Sequence, residues 1–310
     1  MTHTHKPITK IFLILATVAT VLFNCQTEVE LPQLPYDERV IIQGMIEPDS
    51  VPIVYFNGTV PYLTGTTDPA KLVIRNAIIT VNGLGESDVL KLDSTYLPLD
   101  CRFDYFYKGS IIAKQNTTYT LMIVDGSKTY TATTTTTLTP VAIDSVSYTP
   151  AFKDLYGEHE GVITYFKDIP GEENYYRFEM LRAADVTTRD VTGNNRDLLV
   201  PCLEEGDTIM FREIGRSVYS DKNLQGSQIK LVIEPGLTHL AAVVIFVRIQ
   251  TLDKATYEFY DQLDGQKLAQ YNPFIEPVFL KDGQFKNGAT GYFGSIIRSE
   301  PVRFVMPPDD

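Results

Sequence analysis

The chain predicts a mainly β protein made of two sandwich-like domains, the first immunoglobulin- or transthyretin-like, with one amphipathic helix in the second. Three observations carry this. Apolar side chains alternate with polar ones over short runs, as in Tyr119, Leu121, Ile123 and again in Tyr130, Ala132, Thr134; that period of two belongs to half-buried strands. Asn82-Gly83 and Asp125-Gly126 follow such runs and suit the positive-φ positions of tight hairpin turns. Only residues 252–269 carry a strong helical spacing, with Leu252, Phe259, Tyr260, Leu263 and Lys267 near one face and Asp253 placed to cap the start.

Residues 1–24 read as a leader. Lys6 and Lys10 precede an apolar run over 11–23 that is too short to span a bilayer. The run enters Leu22-Phe23-Asn24-Cys25, which resembles a lipobox and makes Cys25 the expected lipid-attachment residue. Asn24 stands where Gly, Ala or Ser is usual, and the alternative is plain secretion with Cys25 as an incidental thiol. Residues 25–38 are acidic and proline-containing and read as an extended tether.

The first domain is expected over 39–140. Val40, Ile42 and Ile46 share one side of an extended run, Pro48-Asp49-Ser50 turns the chain, and 51–56 returns. The threonine-rich run 129–137 offers β-branched side chains suited to a half-exposed strand. Leu138-Thr139-Pro140 ends this block. The second domain is expected over 141–310, starting with a strand at 143–152. Runs 162–167 and 174–181 flank Asp168-Ile169-Pro170-Gly171 and read as a further hairpin. The polar stretch 183–207 reads as a long loop, residues 240–249 as a buried strand, and 292–297 and 302–306 as closing strands.

Charge excludes one class of partner. The whole chain has 27 basic and 39 acidic residues, and the leader holds two of the lysines and none of the acids, so residues 25–310 carry a net charge of −14. Such a surface repels a nucleic-acid backbone and an anionic membrane face alike. A lipid anchor is compatible with that repulsion, whereas electrostatic adsorption is not. A hydrophobic fraction of 44% over the chain is enough to fill two modest cores. With Cys25 acylated, Cys101 and Cys202 remain to pair in an oxidising compartment, the alternative being two buried thiols acting as small hydrophobes.

Catalytic and metal-binding patterns are absent from the sequence. His159 and His239 are the histidines beyond the leader, and neither has a partner at metal-ligand spacing. No Gly-x-Ser-x-Gly elbow or glycine-rich phosphate loop occurs, so no cofactor and no catalytic residue is assigned. Asp221-Lys222-Asn223-Leu224-Gln225-Gly226 imitates the start of a calcium loop, but the twelfth position is Val232 where a bidentate carboxylate is needed; a polar turn is the better reading. Tyr105-Phe106-Tyr107, Tyr175-Tyr176 and Tyr257 with Tyr260 are groove candidates or, more simply, cross-strand packing.

An ordered set of segments extends these readings: Cys25 with Glu30-Leu31-Pro32; Val40-Ile41-Ile42-Gln43-Gly44-Met45-Ile46; Asn76-Ala77; Thr118-Tyr119-Thr120-Leu121 with Asp125-Gly126; Asn174-Tyr175-Tyr176-Arg177-Phe178; the turn 220–226; and Asn287-Gly288 through Gly291-Tyr292-Phe293-Gly294. In this order they resemble the Bacteroidota outer-membrane lipoproteins grouped as domain-of-unknown-function family 4249. The resemblance implies a lipoprotein of the outer membrane, surface-exposed, working beside a TonB-dependent receptor barrel without enzymatic activity. Glu28 and Glu30 are similar to the signals that export such lipoproteins to the outer leaflet. The expected function is therefore non-enzymatic binding or accessory work in nutrient capture, with an adhesin or structural envelope protein as the alternative and a surface hydrolase as a third class. The ligand is not legible in the residues. Loops 183–207 and 57–73 are the expected contact elements, because a rigid β scaffold presents loops to partners.

Overall fold

Strands dominate because β-branched and aromatic residues alternate with polar ones between glycine-, asparagine- and proline-bearing turns. The computed structural model describes Tyr36 and residues 38–61, 68–97, 100–154, 157–183, 202, 208–210, 217–222, 224, 226–235, 242–271, 280–281 and 283–308. In chain order the strands are β1 (Val40–Ile46), β2 (Ile53–Gly58), β3 (Ile78–Gly83), β4 (Glu86–Val89), β5 (Lys91–Leu97), β6 (Arg102–Lys108), β7 (Thr118–Asp125), β8 (Lys128–Thr135) and β9 (Ile143–Asp154). They continue as β10 (Gly157–Lys167), β11 (Tyr175–Ala183), β12 (Thr208–Met210), β13 (Val218–Ser220), β14 (Gln228–Ile233), β15 (Val243–Leu252), β16 (Ala289–Arg298) and β17 (Val302–Met306), with helix α1 (Lys254–Tyr271) between β15 and β16.

Three sheets form. A ten-stranded sheet runs β12-β11-β15-β16-β1-β2-β6-β5, with β13 and β17 attached to β11 and β15; β14-β10-β9 and β4-β3-β7-β8 make the smaller two. Each small sheet closes a sandwich on the large one. The first core joins Ile42, Val54, Phe56 and Phe293 of the large sheet to Ile79, Leu121, Ile123 and Tyr130 of the four-stranded one. The second joins Phe178, Met180, Ile245 and Val247 to Val162, Phe166, Leu231 and Ile233. By register, odd-numbered residues of β15 and β16 share one face, so both sandwiches are built on the same side of the large sheet. Even-numbered Leu252 and Ile296 turn to the other side and meet Tyr257 and Tyr260 of α1.

The helix begins where its cap is expected. Asp253 Oδ1 accepts the Thr256 amide at 2.9 Å, while Oδ2 accepts from the Ser295 amide at 2.7 Å and from the Thr134 hydroxyl at 2.9 Å. One carboxylate thus caps α1 and ties it to β16 and to residue 134 in β8. Gly294 allows the close approach, since a side chain there would collide with Thr256 Oγ1. The inward face of α1 is more polar than its spacing suggests: Thr256 and Asp264 are buried beside Phe259, and Asp264 is satisfied by the Ser217 amide and hydroxyl at 2.6 and 2.9 Å.

Three sequence expectations need revising. Residues 162–181 are not a hairpin: β10 pairs with β9 and β14, whereas β11 pairs with β12, β13 and β15. The turn between them carries the chain from one sheet to the other, because Phe166 and Tyr176 must face each other across the core, ring centroids 5.0 Å apart. Asn82-Gly83 stays within β3, and the positive φ values fall at Leu84 and Gly85; Gly83 is needed because a side chain there would strike the Tyr119 ring. The two blocks divided near residue 140 have separate cores, but they are parts of one unit, Glu38–Asp310. Parallel pairing of β1 with β16 over seven residue pairs joins them, and Phe285, Ala289 and Phe293 of the second block belong to the first core.

Candidate interaction surface

The β5–β6 hairpin ends one side of the large sheet. Seven pairings join β5 to β6, from Lys91↔Lys108 to Leu97↔Arg102, β6 joins β2 through Lys108 and Tyr107, and six of the seven β5 residues are exposed. Among the described residues β5 pairs with β6 alone, so its outer backbone edge is open, apart from the Ser94 amide, which its neighbour Asp93 caps at 2.8 Å; buried Phe106 and Tyr107 root the base of β6. Such an edge is available for pairing with another strand.

Aromatic side chains line one face. Tyr96 and Phe103 lie opposite each other, with ring centroids 5.1 Å apart, and they are 41% and 50% exposed. Phe103 reaches Tyr105 at 6.4 Å, and the Arg75 guanidinium sits 4.2 Å over the Tyr105 ring. Further along β6, Tyr107 enters the first core and donates its hydroxyl to the Ile74 carbonyl at 2.9 Å; burial pushes its phenol upward. On the opposite face Tyr55 is hydrogen-bonded to Asp104, and burial together with that carboxylate pushes the Tyr55 phenol well up. The surface is thus a rigid aromatic strip rooted in the core. The nearby pairs Lys108–Asp93 at 3.7 Å and Arg102–Asp100 at 3.5 Å are solvent-accessible and contribute little to stability.

Both loops expected to carry contacts are tied to this hairpin. Cys101, at its tip with φ of 50°, is disulfide-bonded to Cys202 with a Cα separation of 5.4 Å. That bond attaches the 183–207 loop, of which only Ala183 and Cys202 lie within the described residues. In 57–73, residues 62–67 lie outside the described set; a short 3-10 helix at Pro69–Lys71 is capped by Asp68, and the chain then passes Ile74 and Arg75 to reach β6. Cys25, Glu28 and Glu30 lie outside the described residues, as does His239.

Other sequence candidates have structural roles. His159 Nδ1 lies 3.2 Å from Glu234 Oε1 between neighbouring strands. Tyr175 stacks on Tyr257 at 4.6 Å, and Tyr176 is buried in the second core. Tyr105-Phe106-Tyr107 divides between surface and core. The exposed Tyr96 and Phe103 were missed as contact residues; their signal is the short turn between them, which makes them cross-strand partners once the hairpin is known. Among the described residues no three or more His, Cys, Asp or Glu gather to hold a metal. No helix among them is long and apolar enough to cross a membrane. A cleft of about 550 Å³ lies between α1 and residues 281–291, lined by Glu258, Phe259, Gln262, Lys281 and Gln284. Its amides already support the fold, Gln262 accepting the Lys281 amide at 2.7 Å and Gln284 the Phe293 amide at 2.8 Å.

Fold and surface together define a β-sandwich protein with a stapled aromatic hairpin at its sheet edge. The chain belongs to the family described as a domain of unknown function (DUF4249), whose model matches residues 26–299. No curated protein matches it.

Proposed function

We propose that this protein is a lipid-anchored, non-enzymatic binding or accessory protein of the outer membrane that docks on a TonB-dependent receptor during nutrient capture. The observation that supports this reading is the β5–β6 hairpin, with its aromatic strip exposed and its tip bonded to a long polar loop. Aromatic anchors on a pre-ordered element favour binding because little conformational freedom is lost on contact. A lipid on Cys25 would hold the hairpin near its partner, so a shallow interface gains from effective concentration. Glu28 and Glu30 would direct display at the cell surface.

The experiment is co-purification after mild detergent extraction. The wild type is expected to bring down a receptor barrel, and the pair Tyr96→Ser with Phe103→Ser to lose it. Cys25→Ala is expected to leave the detergent phase for the soluble fraction. Retention of the receptor by the folded double variant removes the hairpin from the contact, and a wild type that captures no barrel sinks the receptor reading. The same exposed edge would serve an adhesin or structural envelope protein, and capture of a non-barrel envelope component favours that alternative.

A further inference from the structure

Register decides which backbone groups of the edge hairpin are in use. The Gly109 amide donates to the Pro52 carbonyl at 2.9 Å, just past the β2–β6 pairings Ile53↔Lys108 and Val54↔Tyr107. On β6 the odd-numbered residues therefore turn their main-chain groups toward β2 and the even-numbered ones toward β5. Opposite those even residues lie the odd residues of β5, in the pairs Lys91↔Lys108, Asp93↔Phe106, Thr95↔Asp104 and Leu97↔Arg102. Leu92, Ser94 and Tyr96 are left with their amides and carbonyls turned to the other side, where no described strand pairs. The Ser94 amide bears this out, since it bonds to the side chain of its own neighbour, Asp93, at 2.8 Å.

Side chains repeat the same pitch. Leu92, Ser94 and Tyr96 share a face with Tyr107, Tyr105 and Phe103, their partners on β6. Leu92 and Tyr96 are 38% and 41% exposed. The edge thus carries an apolar side chain beside the outward amide and carbonyl at both of these positions. The opposite face holds Asp93 and Asp104, with the Asp93–Lys108 pair about half exposed. Edge strands are commonly guarded against pairing by proline or by a lysine in mid-strand. β5 has no proline, and its one lysine, Lys91, is its first residue.

We propose that β5 is a docking edge for one extended segment of a partner protein, added as an antiparallel strand in which apolar residues alternate with basic ones. The inference rests on the hairpin being the contact surface, and not on the partner being a receptor barrel. Main-chain bonds to Leu92 and Tyr96 hold the added strand, and its side chains set specificity. Apolar residues opposite Leu92 and Tyr96 fall on the aromatic face, and the basic residues between them fall on the face of Asp93 and Asp104. Charge selects the same occupant, because residues 25–310 carry a net −14 and so attract a basic segment while repelling a second copy of the chain.

The test measures binding of a labelled Lys-Val-Lys-Val-Lys-Val-Lys peptide, equal in length to β5, to the mature chain by fluorescence anisotropy. N-methylation at each valine keeps side chains and charge but removes the amides that would face β5; it is expected to weaken binding by at least about tenfold. Ser94→Pro blocks the outer edge without taking a bond from the β6 ladder, and a similar loss is expected. Equal binding of the two peptides, or no binding of the first, overturns the proposal. Wild-type dimers that Ser94→Pro abolishes overturn it too, by making the edge a self-pairing interface. Where Ser94→Pro does not fold, the two peptides on the wild type decide. Peptide binding without a co-purified barrel sinks the receptor reading and leaves the edge; a barrel captured equally by Ser94→Pro, with no peptide bound, does the reverse.

Discussion

β5 and β16 belong to one sheet and have opposite surroundings. Eight of the ten β16 residues are buried, because the first core covers one face and α1 the other. In β5 six of seven residues are exposed, because neither small sheet nor helix reaches it. Phe293 at the centre is 0% exposed and Phe103 at the edge is 50% exposed. A strand's composition does not determine its role; position along the sheet does. The centre of this sheet is a joint between two cores, while its edge stands exposed.

The sharpest way to break this contrast is one substitution at both places. Phe293→Ala should destabilise the protein by about 3–5 kcal/mol, the cost of removing a fully buried aromatic ring from a packed core, as read from urea unfolding midpoints. A loss below about 1 kcal/mol would mean that β16 is not the joint. Next in size, replacing Cys101 and Cys202 with serine removes a bond spanning 101 residues of sequence and should cost about 2–5 kcal/mol. If unfolding is unchanged, the staple only positions the loop. The smallest stability effect belongs to the edge: Tyr96→Ser with Phe103→Ser should move unfolding by no more than about 0.5 kcal/mol. A large loss there would show that the aromatic strip holds the fold together, and the edge would cease to be a free platform.

Arg298 adds a further contrast, since the end of β16 is not apolar. Its guanidinium bonds Glu47 just beyond β1 and lies 3.5 Å from Glu179 on β11. Burial pushes the Glu47 carboxyl upward and Arg298 opposes that shift. The joint between the two halves therefore passes from an apolar middle to an ion-paired end. Among the described residues nothing comparable ties β5 to the rest of the sheet, where the Lys108–Asp93 pair remains about half exposed on both sides.

Read alone, the sequence determined the mainly β class, the β7–β8 hairpin with Gly126 in its turn, the helix with Asp253 as its cap, and the family resemblance. These features are legible because period-two burial, turn chemistry and capping act between residues close in the chain. It offered Cys101 and Cys202 as a possible pair, with two buried thiols as the alternative, and the fold decided for the disulfide. Tertiary structure decided that β1 lies against β16, that β10 and β11 enter different sheets, and that Tyr96 and Phe103 stay exposed while Tyr107 and Tyr176 are buried. All four aromatics look alike locally. Which of them meets a second sheet depends on packing between segments tens to hundreds of residues apart, and no local pattern of alternation encodes that pairing.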